Sequence, residues 1–335
     1  MKKVDFEAHL YSPALLNECF GARTEPPFYR KDDGTFYFTN DFFLNSKKHM
    51  AQLSETCEER MAIMDKFGIT KQVLSCSPGI ELIDDARQAV EACHEVNDWM
   101  YSFVKKHPDR FAAWAALPRQ DPDAACDELE RCVKEYGFVG WLTFSNYGDT
   151  HPDDDIYAKI FDKAGELGAA VYVHPTQPCS GRLSGLGPHL AGGTFGFGVD
   201  TAITVMRLIL KGTFDRNPGL KLLMGHLGEA LPFTLDRLEE RGRVTHGKHA
   251  PAVCELLPHE YFGRNIWVTT SGQYSHASFH CTREEMGIER MLIGSDYPYA
   301  PLETCEQFER ELVLSKIDKE KLFYLNAERF FGIKA

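Results

Sequence analysis

The ten cysteines of this 335-residue chain include no Cys-x-x-Cys pair, which removes zinc ribbons and thioredoxin-like redox motifs from consideration. They are scattered, and several, like Cys76 in Val73-Leu74-Ser75-Cys76, sit in apolar surroundings as small core residues. A reduced, cytoplasmic protein is the expectation. No run approaches the ~18 consecutive apolar residues of a membrane span. Met1-Lys2-Lys3 leads straight into a strand-like segment, with no leader-type apolar region, so no membrane association is expected. Positive charge is in short supply: 37 Lys and Arg stand against 49 Asp and Glu, a net charge of -12, with no basic stripe. Nucleic acid is therefore not an expected partner. An anionic substrate stays open, because a bound cation supplies local positive charge. Internal repeats and low-complexity tails are also missing.

What the chain has is a recurring ending to short apolar runs. Val4, Phe6 and Ala8 alternate with Asp5, Glu7 and His9, the period-two pattern of a strand, so Glu7 and His9 project from one face. A carboxylate beside an imidazole suits a divalent ion of the zinc or manganese kind, although any short strand can show Glu-x-His by accident. Three later runs finish on residues that bind metal or move protons: Ala169 to His174, Leu220 to His226, and Arg290 to Asp296. A single such ending reads as a buried histidine bonded to a backbone carbonyl. Four of them, at the ends of separate strands, point to a shared site.

Candidate strands are Val4–His9, Gln72–Cys76, Phe111–Leu117, Phe138–Phe144, Ala170–His174, Leu220–His226, Ile266–Thr270 and Met291–Ser295. Helical signals lie between them: Glu58 to Phe67 with Gly68 as C-cap, Asp121 as N-cap before Pro122 with an end at Gly137, and Asp153 to Leu167 ending at Gly168. Alternating strands and helices imply parallel pairing, and eight units suggest a closed (β/α)8 TIM barrel. The chain then reads as a single barrel domain over 1–335. The rival is an open doubly wound sheet, which would not bring the first and last strands together. Residues 11–54 read as a long insertion on the active-site side, with a hairpin around Asp33-Gly34. The glycine-rich segment from Gln177 to Gly198, directly after His174, reads as a lid or as a solvated surface loop.

Longer strings narrow the reading. Ala115-Ala116-Leu117-Pro118-Arg119-Gln120-Asp121-Pro122, Phe214-Asp215-Arg216-Asn217-Pro218-Gly219, Gly225-His226-Leu227-Gly228-Glu229-Ala230-Leu231-Pro232 and Gly294-Ser295-Asp296-Tyr297-Pro298-Tyr299 resemble the amidohydrolase superfamily. The similarity is to its branch of metal-dependent non-oxidative decarboxylases, the dihydroxybenzoate and γ-resorcylate decarboxylases, and it spans nearly the whole chain. The resemblance implies one divalent ion, Zn2+ or Mn2+, held by Glu7, His9, His174 and Asp296, with no organic cofactor. It implies His226 and Glu229 as an acid/base pair, a small aromatic carboxylate as substrate, and a homo-oligomer, dimer or tetramer. Members often begin Glu-Glu-His, whereas here Phe6 precedes Glu7 and Ala8 separates it from His9; the Glu-x-His positions are intact. Arg237, Phe195, Phe197 and Tyr297 are candidate substrate contacts, with Arg237 reaching a carboxylate of its own or a neighbouring subunit. Phe195 and Phe197, flanked by glycines, serve equally as ring covers or hinge residues.

Direct loss of CO2 from an arene leaves an aryl anion too basic to form at neutral pH. Protonating the ring carbon first, with an ortho hydroxyl feeding in electrons, avoids it. Asp296 is the candidate donor and His226 with Glu229 its proton source. The same ligands could serve a hydrolase that activates water against a lactone, ester or amide, and a non-catalytic metal-binding module is a third class.

Overall fold

A computed structural model describes residues 1–16, 28–30, 36–38, 43–45, 47–76, 78–184, 186–245, 248 and 253–335. Its strands are β1 (Val4–Leu10), β2 (Phe28–Arg30), β3 (Phe36–Phe38), β4 (Phe43–Asn45), β5 (Lys71–Cys76), β6 (Phe111–Ala115), β7 (Gly140–Phe144), β8 (Ala170–His174), β9 (Lys221–Met224), β10 (Ile266–Thr269) and β11 (Met291–Leu292). All eight expected strands form and join in the parallel order β1-β5-β6-β7-β8-β9-β10-β11. The ends of that order meet: Phe6 N–H donates to the Ile293 carbonyl and Asp296 N–H to the Glu7 carbonyl, both at 2.9 Å. A closed barrel results, and the open-sheet alternative is excluded.

The strands are shorter than the apolar runs, for local reasons. β6 stops at Ala115 because Asn97 takes both backbone groups of Ala116, accepting from its N–H at 2.9 Å and donating to its carbonyl at 2.8 Å. β9 stops at Met224 because the backbone turns left-handed from His226 onward. Asp121 caps helix Pro122–Lys134 by accepting from Asp123 and Ala124 N–H, and Gly68, Gly137 and Gly168 take positive φ as expected just past their helices. One helix start differs from expectation. Asp153 does not begin its helix; its buried carboxylate pairs with Arg207, 2.7 Å away, and the helix proper runs Ala158–Leu167.

β2, β3 and β4 form a separate antiparallel sheet within the insertion. The Asp33-Gly34 turn expected there lies outside the described residues, although its flanking strands β2 and β3 do pair. Tyr11 N–H to the Leu53 carbonyl, at 2.7 Å, ties the base of the insertion together. The glycine-rich segment is shorter than expected, because Gly196 and Gly198 already belong to helix Gly196–Leu210. His189–Leu210 holds no long unbroken apolar run, although by length and overall composition alone it is long and apolar enough to cross a membrane. Its Thr201, Thr204, Val205, Leu208 and Ile209 are buried inside this fold.

Beneath the C-terminal mouth runs a column of edge-to-face rings, Phe331, Phe6, Trp114, Tyr172 and His174, with successive centroids 5.2, 6.3, 5.6 and 6.5 Å apart. Such pairs add directional preference to the apolar burial and seat His174 on a rigid base. β7 and β8 approach closely at Gly140, where a Cβ would lie 1.9 Å from the Ala170 carbonyl oxygen. Backbone cannot yield there as a side chain would. Gly140→Ala is therefore expected to destabilise the protein by about 2 kcal/mol or more, the upper range of overpacking costs, as read from urea unfolding midpoints.

Candidate active site

Glu7 and His9 on β1, His174 at the end of β8 and Asp296 just past β11 converge, each offering one donor atom within 4.8 Å of the others. His9 Nε2 lies 3.2 Å from Asp296 Oδ1 and 3.8 Å from Glu7 Oε1, and His174 Nε2 lies 3.4 Å from the same Glu7 oxygen. The far ring nitrogens orient both imidazoles. His174 Nδ1 is 2.7 Å from the Pro175 carbonyl, which can only accept, so Nε2 carries a bare lone pair. Ser75 Oγ, itself donating to the Ala8 carbonyl, accepts from His9 Nδ1 at 2.9 Å and turns Nε2 toward the carboxylates.

Glu7 is divided in the same sense. Its Oε2 accepts from Tyr172 and, at 2.9 Å, from Thr269. Its Oε1 and His174 Nε2 are both buried without a hydrogen-bond partner. Orphaned buried acceptors are costly, and two of them facing one point suit a cation. Two imidazole Nε2 atoms and two carboxylate oxygens form a donor set fit for a divalent ion of the Zn2+ or Mn2+ type, with outer partners that orient each ligand. The electrostatics agree. Burial would raise the Glu7 carboxyl, but the imidazoles of His174 and His9 beside it hold it well below its usual range. Burial would lower His9, yet Asp296 and Glu7 lift it to about 9. His174 is lowered, by burial and then by the charge on His9. The two carboxylates thus call for positive charge at their centre.

His226 and Glu229 stand beside this cluster on an unusual backbone. His226, Leu227, Gly228, Glu229 and Ala230 have φ of 53, 56, 84, 51 and 64°. The pair is joined by one turn, as the spacing suggested, but that turn is left-handed. Each non-glycine residue there costs roughly 1–2 kcal/mol. The turn sets His226 Nδ1 2.5 Å from Glu229 Oε1, while Nε2 faces Asp296 Oδ2 at 3.9 Å. Burial would lower His226, but the Glu229 charge and Asp296 raise it well above the ordinary range. Asp296 is held down by His226 and His9 against its burial. Both shifts act in the direction that favours the proton on His226 over Asp296.

A cavity of about 310 Å³ opens over the cluster, lined by His174, His226 and Asp296 and by Pro78, Thr176, Phe197 and Tyr299 among others. A second, outer cavity of about 540 Å³ shares Phe197, His226 and Gly272 and reaches Glu229. Of the expected substrate contacts, Phe197 lines both cavities. Phe195, 55% exposed, lines only the outer one. Tyr297 is turned away: it is 4% exposed, donates to Glu55 at 2.6 Å and lies under the Arg60 guanidinium. Tyr299, two residues on, takes the place at the cavity wall. Arg237 is exposed on helix Leu235–Thr245 and is outside both linings. Sequence reasoning missed Tyr172 and Thr269, the donors to Glu7. Tyr172 was within reach, since it lies two residues before His174 on the same strand face.

The amidohydrolase family pattern matches residues 5–333. The chain belongs to the amidohydrolase family. Among curated relatives it is 31% identical to a γ-resorcylate decarboxylase from a Rhizobium species, over 99% of this chain and 98% of that one. The crystal structure of 5-carboxyvanillate decarboxylase from Sphingomonas paucimobilis superposes with a TM-score of 0.88 at 30% identity, covering 99% of both chains. A dihydroxybenzoic acid decarboxylase from Polaromonas, solved with bound manganese and the inhibitor 2-nitroresorcinol, gives a TM-score of 0.84 at 28% identity over 99% and 97% of the two chains. This amidohydrolase is a carboxy-lyase, and the hydrolase alternative gives way.

Behind the cavity wall lies a buried acid that no sequence signal marked. Glu81 accepts from Gly79 N–H at 2.5 Å and Thr176 Oγ1 at 3.2 Å, while Arg119 bonds only its backbone carbonyl. Burial pushes its carboxyl from 4.5 up to about 7. An acid raised in the fold contributes stability that is complete below the unfolded value and is lost as pH rises through about 7. At 1.36 kcal/mol per unit the loss is about 3 kcal/mol. Glu81→Gln, which keeps an acceptor and adds a donor toward Thr176, should flatten the fall in unfolding free energy between pH 4.5 and 7. Urea titrations across that window give the measurement.

Proposed function

We propose that this amidohydrolase releases CO2 from an ortho-hydroxybenzoate-type acid, such as a dihydroxybenzoate, by protonating the ring carbon that bears the carboxylate. The observation that carries the reading is the placement of His226, paired with Glu229, beside Asp296 at the wall of a cavity whose lining includes Phe197, Tyr299, Pro78 and Pro175. Glu7, His9, His174 and Asp296 would hold the divalent ion, Mn2+ or Zn2+. That ion would supply Lewis acidity toward the anionic substrate. The manganese and the nitroresorcinol bound by the relative support both parts of the reading.

The protein's own part is proton traffic and orientation. Glu229 Oε1 keeps His226 Nδ1–H in place, so that the mobile proton is the one on Nε2. That proton passes through Asp296 Oδ2 to the ring carbon, with the ortho oxygen donating electrons into the ring. The ring–carboxylate bond then breaks, its electron pair restores aromaticity, and CO2 leaves. No oxidant or reductant is consumed. Phe197 and Tyr299 hold the ring face and limit water.

The purified protein, loaded with Mn2+ or Zn2+, should release CO2 anaerobically from dihydroxybenzoates and lose that activity on chelation. A His9→Ala, His174→Ala double variant should lose the ion by elemental analysis. Retention of the ion in a folded double variant, or ester hydrolysis without CO2 release, counts against the proposal.

His226→Asn separates acid/base work from metal holding. The ion should stay bound while kcat falls ~10²-fold or more; near-native turnover would make the pair only packing at a strand end.

A further inference from the structure

We infer that Gly198 is a positioning residue for the acid/base pair: the absence of a side chain there is what lets the Glu229 carboxylate reach His226. The inference rests on the proton role assigned above to that pair. Gly198 lies in the opening turn of helix Gly196–Leu210. A Cβ on it would stand 2.6 Å from Glu229 Oε2 and 3.5 Å from the carboxyl carbon. A carbon and an oxygen do not approach so closely without a bond, so Glu229 would have to move.

The glycine is not there for its backbone. Gly198 is absent from the positive-φ glycines, and its helical conformation is open to any residue. Glycine inside a helix is destabilising relative to alanine, so something other than helix formation favours it. Gly196, two residues earlier, makes the contrast. A Cβ there would strike the Leu190 carbonyl oxygen at 2.5 Å and the Ala191 backbone, so Gly196 serves chain packing. At Gly198 the close neighbour is the carboxylate alone.

Glu229 has little freedom to yield and keep its partner. Its Cα–Cβ direction is set by the left-handed φ of 51°, and its Oε1 is 2.5 Å from His226 Nδ1. The available space is the outer cavity, which Gly198, His226 and Glu229 all line. A methyl group at position 198 would therefore swing the carboxylate outward. The fold would absorb that change, but His226 would lose the acceptor that orients it. Activity and stability should part company, which a merely structural glycine would not produce.

The test is Gly198→Ala in the metal-loaded protein. Its melting temperature should equal or exceed the native one, and its metal content and KM should be unchanged. kcat should drop by ~10²-fold, the usual scale of lost acid/base catalysis. Its crystal structure should show Glu229 beyond hydrogen-bond reach of His226. Glu229→Asp shortens the side chain, so the Gly198→Ala, Glu229→Asp double variant should lose less kcat than the product of the two single losses. Native kcat in Gly198→Ala, a lowered melting temperature, multiplicative losses, or an undisturbed Glu229–His226 bond in the crystal would each overturn the inference. If the native protein released no CO2, the reaction assigned above would fall, while the variant's crystal structure would still decide this point.

Discussion

One buried carboxylate organises the mouth of this barrel. Glu7 is fully buried, so each of its oxygens needs a partner. Tyr172 and Thr269 satisfy Oε2, and Oε1 is left facing the Nε2 atoms of His9 and His174. The rest of the arrangement follows from that division. Ser75 and the Pro175 carbonyl hold the far sides of the rings so that lone pairs point inward. Asp296 adds a second negative charge from across the barrel seam. Two carboxylates this close repel unless a positive charge lies between them.

Asp296 is also divided between two tasks. Oδ1 faces His9 and the ion-binding cluster, and Oδ2 faces His226. It thereby links the four-residue cluster to the His226–Glu229 pair. The backbone gives up regularity to make this link. Four non-glycine residues between His226 and Ala230, with Asp296 itself, adopt positive φ, at a cost an ordinary loop would avoid. Local preference and global fold conflict here, as they do at sites where geometry is dictated by chemistry. The strained segments are braced: Asp5, fully buried, accepts from both the N–H and the hydroxyl of Ser295 immediately before Asp296.

The barrel was legible in the sequence because strands buried on both faces must be nearly all apolar, and a polar residue at the end of such a run stands out. That contrast located Glu7, His9, His174, His226 and Asp296 together. Helix ends were legible because Gly68, Gly137 and Gly168 sit where only glycine turns freely. What escaped notice depends on direction more than composition. Tyr297 and Tyr299 flank one proline and look alike in sequence, yet one ring turns under Arg60 and the other lines the cavity. The left-handed turn from His226 carries a single glycine, so ordinary propensities gave no sign of its hand. Glu81 and Asp153 are charged residues whose burial is set by partners far along the chain, which no local pattern records.

Closure of the barrel through its first and last strands governs when the site can exist. His9 and Asp296 meet across 287 residues of sequence. A growing chain exposes Glu7 and His9 with its first barrel strand and completes the set only when the final strand has been made. Until then the early carboxylate and imidazole have no seam partner, and contacts this distant in sequence are the slowest to form. The ion site is therefore a product of the finished topology, and a nascent or truncated chain offers a passing cation only a fragment of it.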